Sequence, residues 1–179
     1  MLKIYHQLAY NNLLANHRLL SAAENLQPGE FEAKGTSFFP SISKTLNHNI
    51  TVDWYYVDAL EGGTLGAKAW DPEEPFDDAL TLKAEQRAVD LRLIRFCEQL
   101  TEDALSKPVN LLRYEEPLGN VLPHLFQHQI HHRGQAHAMF AGTSVVPPQL
   151  DEFMFRADRS DRAKDLEELS LEEADLFNF

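Results

Sequence analysis

The chain has one cysteine, Cys97, in 179 residues. An internal disulfide is therefore excluded, and so is a zinc knuckle built on thiolates. A metal centre in this chain has to draw on histidine and carboxylate. Basic residues are also scarce: 16 Lys and Arg stand against 28 Asp and Glu, a net charge of −12 with histidine counted as neutral. Binding to a phosphate backbone needs a positive field that displaces counterions, so no nucleic-acid partner is expected. Long apolar runs are missing as well, with nothing near the ~20 residues of a membrane span. The opening residues move straight into an amphipathic pattern without a basic segment followed by a hydrophobic block. A cytoplasmic protein with no membrane partner is the expectation.

What is present suffices for one domain with a full core: 44% of residues are apolar and 10% aromatic. Four segments carry helical spacing. The first, Leu2 to Leu26, places Tyr5, Leu8, Ala9, Leu19, Leu20, Ala23 and Leu26 on one face and ends at Pro28 and Gly29. Asn12 and Asn16 interrupt that face one turn apart, and the simplest role for them is to tie down neighbouring loops. The second, Ser41 to Leu60, is apolar on two sides, which predicts burial against both the core and a partner subunit. The third spans Asp77 to Leu100 with Cys97 on its apolar stripe, where a small core residue is expected. A short, irregular or briefly extended stretch between Pro108 and Pro117 precedes the fourth, Leu118 to Ala141, which ends at Gly142. The expected fold is all-α, a four-helix up-and-down bundle with a short helical C-terminal extension.

The charge is concentrated at one end. Residues from Asp151 onward carry ten acids and four bases, hence six of the twelve excess negative charges. Helical pieces are predicted at Leu150 to Ala157 and at Asp165 to Leu176, the second packing through Leu166, Leu169 and its Phe177/Phe179 end. The division expected is a bundle over 1–157 and an acidic helical tail over 158–179.

Five of the eight histidines fall within the fourteen residues from His124 to His137. On a helix, positions i and i+4 lie about 40° apart and can chelate one ion. His128 and His132 have that spacing and are flanked by Val121, Leu125 and Met139; His124 and His128 share it. His131 points about 60° to one side of His128, and His137 projects toward the opposite face. Two histidines do not make a catalytic site, which usually has three protein ligands and an open position. His48, in the middle of the second helix near Thr45, Val52 and Tyr55, is the best candidate for a third; a histidine bonded to a carbonyl is the alternative there. His6 and His17 lack comparable partners and are expected at the surface. Asp53 lies about 140° around the helix from His48 and suits a structural partner better than a general base.

These residues carry a resemblance. Asn47-His48, preceded by Ser41-Ile42 and Thr45-Leu46, together with the run His128-Gln129-Ile130-His131-His132-Arg133-Gly134-Gln135, resembles the DinB/YfiT-like proteins. Asn12 and Asn16, and Gly142, Pro147, Pro148, Leu150 and Asp151, support it. The likeness covers about Met1 to Ala157, with His128 to Gln135 its most specific part, and leaves out the acidic extension after Arg159. It implies a four-helix bundle, commonly a homodimer, with a divalent metal, zinc or nickel first, on His48, His128 and His132. It further implies that His131 and Arg133 turn outward or brace the backbone. Some relatives use a low-molecular-weight thiol as co-substrate in S-transfer or isomerisation. The expected function is accordingly a metal-dependent transferase acting on a small-molecule substrate. A metal-dependent hydrolase, a metal-binding, stress-associated protein without turnover, and an inert bundle with coincidental histidines are the alternatives. No residue stands out as a catalytic acid or base.

Overall fold

The fold is described here from a computed structural model over residues 2–151 and 154–177. Four long helices form the body: α1 (Leu2–Ala23), α2 (Ile42–Leu60), α3 (Ala79–Glu98) and α4 (Leu118–Phe140). A fifth, α5 (Arg159–Leu169), lies in the acidic extension. The ends follow local chemistry. The Ser41 side chain accepts a hydrogen bond from the Lys44 amide at 3.0 Å and starts α2, and Asp78 does the same for α3 through Thr81 at 2.8 Å. Past α1 the chain reverses at Gly29, whose φ of +88° is left-handed and favours glycine. The stretch between Pro108 and Pro117 is a small antiparallel hairpin, β1 (Pro108–Asn110) with β2 (Glu115–Pro117).

The four-helix bundle is as expected, but its order is not up-and-down: α1 and α4 run one way and α2 and α3 the other, because the connection after α2 is long. α1 packs on α3, α3 on α2, α2 on α4 and α4 on α1, so the chain-consecutive α1 and α2 sit diagonally. Hydrogen bonds and ring contacts give the directions. Tyr10 to Glu98 and Asn16 to Asp90 make α1 and α3 antiparallel. His48 with His132, and Tyr56 with His124, do the same for α2 and α4. Asp53 with Gln86 and Glu61 with Arg92 show that α2 and α3 run parallel. The connecting segment 61–78 makes this possible by returning along α2 to its starting end. There Asn47 donates to the Phe76 carbonyl and accepts from the Phe76 amide, each at 2.9 Å.

The same segment accounts for the two-sided burial of α2. Part of its second face is covered within the chain, by a 3-10 turn at Gly66–Trp70 and by the hairpin. The extension differs from expectation too. A 3-10 turn at Arg156–Asp158 overlaps only the end of the piece predicted at Leu150 to Ala157, and two residues of that piece lie outside the described residues. The helix predicted from Asp165 to Leu176 instead begins at Arg159 and stops at Leu169, where Ser170 turns left-handed with φ of +58°. Leu166, Leu169 and Leu176 are buried in the main core, and Phe177 packs against it; Phe179 lies outside the described residues. Arg162 is fully buried and bonds to Glu173 and to the Phe155 carbonyl.

Two apolar clusters fill the bundle. Along α1, α3 and α4 they are separated by buried polar residues: Asn12 and Asn16, Gln86 and Asp90, Gln129 and Arg133. Arg133 donates to the side-chain oxygens of Asn12 and Asn16, the latter at 2.9 Å. The amides of both asparagines donate to Asp90 at 2.9 to 3.1 Å. Gln86 bridges Asp90 to Asp53, and Gln129 also donates to Asp53. The asparagines therefore bind helix to helix and not to loops as expected, because α4 brings a buried cation directly against them. Burial raises the pKa of Asp90 to about 6, and burial with the Asp90 charge raises that of Asp53. One guanidinium thus faces two buried carboxyl groups.

Replacing Arg133 by Met leaves these acids without their cation. Loss of one partner from a buried charged network costs about 3–5 kcal/mol, so a marked drop in the denaturant midpoint is expected. An unchanged midpoint would contradict the network's role.

Candidate metal centre

His128 and His132 occupy consecutive turns of one face of α4, with ring centroids 4.4 Å apart. Across the interface α2 presents His48, whose Nε2 lies 3.1 Å from Nε2 of His128. One nitrogen from each of the three rings lies within 4.8 Å of the others, and among the described residues this is the group able to hold a metal ion. The spacing fits an ion. Two imidazole nitrogens bound to zinc at about 2.0–2.1 Å in tetrahedral geometry stand about 3.3 Å apart. The donor set is three histidines, without thiolate or carboxylate.

Neighbouring groups orient the rings. Nδ1 of His132 lies 2.9 Å from Oε1 of Gln135. A ring N–H donated there leaves Nε2 as the lone-pair nitrogen facing the cluster. Gln135 is itself held, with its amide nitrogen 2.9 Å from Nε2 of His131. Phe39 stacks on His48 with centroids 4.3 Å apart and also meets His132 at 5.4 Å. It is held there by a loop in which the Gly35 amide bonds the Pro40 carbonyl at 2.8 Å. Gly35 approaches α4 so closely that an added Cβ would sit 2.6 Å from Sδ of Met139. Nδ1 of His128 is buried with no hydrogen-bond partner.

Burial favours the neutral imidazole at all three positions. It lowers the pKa of His48 to about 4 with a contribution from His132, and that of His128 to about 3 with contributions from the neighbouring histidines. His132 is lowered as well, by burial first, with the bond to Gln135 opposing. Unprotonated lone pairs are what metal coordination requires.

The three residues picked out from spacing and resemblance thus meet at one point. His124, the other i+4 neighbour of His128, stands outside the cluster with its ring against Tyr56 at 5.4 Å. His131 faces solvent, and Nε2 of His137 is 2.8 Å from the Pro148 carbonyl. His6 is buried and not at the surface as expected, and His17 is half-buried and has a partner. His6 is 4% exposed against Tyr10, and His17 lies 2.9 Å from Glu168 of α5. Both are covered because α1 packs along α3 and under the extension. Asp53 is a structural partner, as expected. Gln135 and Phe39 were not singled out: the i+3 spacing of Gln135 from His132 was a usable signal, whereas Phe39 reaches the site only through a loop.

Comparisons with known proteins agree with this architecture. The model of the DinB family matches residues 1–164, so the chain belongs to the DinB family. It is 26% identical over 157 residues to the protein DinB of Bacillus subtilis strain 168, covering 80% of this chain and 90% of that one. Among solved structures, a DinB-like protein of Bacillus cereus ATCC 10987 superposes with a TM-score of 0.61 at 16% identity, over 78% of this chain and 91% of its own. A DinB-like protein of Bacillus subtilis, YjoA, gives 0.54 at 19% identity, over 76% and 91%. These two structures support the fold. No helix among the described residues is long and apolar enough to cross a membrane.

In metal-free protein, the imidazole NMR signals of His48 and His128 should titrate well below the ordinary value of about 6.5. Between that value and about 4 the unfolded chain takes up protons that these folded histidines refuse. Their contribution to stability is therefore complete above pH 6.5 and declines as the pH falls. Titration of both rings near 6.5 would contradict the buried placement.

Proposed function

We propose that the protein binds one divalent cation, zinc or nickel, through His48, His128 and His132, and is a metal-dependent transferase. Its co-substrate in this reading is a low-molecular-weight thiol and its acceptor a small electrophile. The observation that carries the reading is the convergence of three neutral imidazoles in a cluster without a charged ligand. A divalent ion on neutral donors keeps its full charge and lowers the pKa of a thiol or water that it binds. Three protein donors leave a tetrahedral ion one position for a substrate.

The chain's own groups prepare that position. Gln135 orients the His132 ring, and Phe39 covers the outer faces of His48 and His132 against water. Asp53, the acid nearest to His48 along α2, is committed to Gln86 and Gln129. That leaves the ion itself to activate the nucleophile, and it does so for a bound thiol, which ionises near about 8.5 even without a metal. A homodimer belongs to the same reading, supported by the exposed Ile4 and Ile130, which flank a groove between α1 and α4. Light scattering should then give twice the chain mass of 20.4 kDa.

His128→Ala is expected to abolish stoichiometric metal uptake after dialysis. Gln135→Leu should keep the ligands but weaken affinity by about 10- to 100-fold, the usual effect of removing an orienting partner. A full equivalent of metal retained by His128→Ala would place the site elsewhere. Metal-loaded protein assayed with a panel of thiols and electrophiles should show thiol consumption that His48→Ala loses. Stoichiometric metal with no turnover across the panel would favour a binding protein over an enzyme.

A further inference from the structure

Beside the three histidines lies a cleft of about 420 Å³ that the metal reading leaves unused. His128 belongs to both. The cleft's walls are mainly aromatic: Trp70, Tyr55, Tyr56 and Tyr114. The rings form a continuous series. Trp70 meets Tyr55 at 4.7 Å, Tyr55 meets Tyr56 at 4.8 Å, Tyr56 meets His124 at 5.4 Å and His124 meets His128 at 6.5 Å. Its volume falls within the range of small-molecule sites, and such sites combine apolar walls with a few polar groups that set orientation.

One lining group has a fixed charge. Arg113 sits in the turn between β1 and β2, and no carboxylate lines the cleft. Among the described residues Arg113 forms no ion pair, although the chain as a whole carries a charge of −12. Its position is built. The Leu111 amide bonds the Tyr114 carbonyl at 2.9 Å and closes the turn, while the Leu112 amide donates to the Tyr55 hydroxyl at 3.1 Å and fastens the turn to α2. A guanidinium is a planar fork of donors suited to a carboxylate, and aromatic faces suit a flat apolar body.

From this geometry we propose that the cleft is a binding site for small aromatic carboxylates, with Arg113 holding the carboxylate and the tyrosine and tryptophan rings holding the body. This deepens the transferase reading, in that it assigns the acceptor's chemical class and rests on the adjoining histidines being the metal site. Binding itself uses residues outside the metal ligands.

The test is calorimetric titration of metal-loaded and metal-free protein with 2-naphthoate and with its neutral counterpart 2-naphthalenemethanol. Naphthoate should bind at least 10-fold more tightly than the alcohol. Arg113→Gln should weaken naphthoate at least 10-fold while leaving the alcohol within about 2-fold, and Tyr56→Ala should weaken both. Circular dichroism and an unchanged thermal midpoint check that the variants are folded. Equal affinity for the acid and the alcohol, or an Arg113→Gln variant that binds naphthoate like the wild type, overturns the proposal. Failure of the metal reading shows separately, as absent metal uptake in protein whose metal-free form still binds naphthoate through Arg113.

Discussion

The arrangement of the bundle depends on one buried cation. Arg133 is 4% exposed, and a guanidinium withdrawn from water must be met by fixed polar partners. Asn12 and Asn16 supply oxygens from α1, and their amides pass the charge's influence to Asp90 on α3. Gln86 and Gln129 extend the network to Asp53 on α2. Apolar side chains tolerate sliding by a residue or rotation by a few tens of degrees, but a hydrogen-bonded set of this kind does not. The network therefore determines the register of α4 against the other three helices. His132 is the residue before Arg133, and His128 is the residue before Gln129. The register that satisfies Arg133 and Gln129 inside is the one that turns both histidines toward His48.

That coupling explains how a metal-binding geometry can exist in a bundle whose consecutive helices are not all neighbours. The connection over 61–78 carries the chain back to the start of α2, so α2 and α3 run parallel and both can reach the central polar residues. The segment before α2 does the complementary work outside: it lays Phe39 over the histidine rings, with Gly35 allowing contact against Met139. One side of the site is thereby closed by a loop, and the other opens beside the aromatic cleft at the hairpin.

Much of this was legible in residue order. The four long helices, their starts at Ser41 and near Asp77, and the brief extended stretch between Pro108 and Pro117 follow from period, caps and turn residues. His128 and His132 declared themselves by spacing, and His48 gained weight from the resemblance of its surroundings to the DinB family. What could not be read is tertiary. Asn12 and Asn16 show that a polar residue sits on an apolar face, but nothing local reveals that an arginine over a hundred residues later will meet it. His6 and His17 look like surface residues until α3 and α5 cover them. The two-sided pattern of α2 correctly signals burial without saying whose atoms do the burying.

The central claim is that three histidines alone hold a divalent ion and leave it accessible. X-ray absorption on the zinc-loaded protein tests this most directly. The account predicts three imidazole scatterers at about 2.0–2.1 Å and one exchangeable light-atom ligand that changes to sulfur when a small thiol is added. A shell closed by four protein ligands, unaltered by thiol, would contradict it.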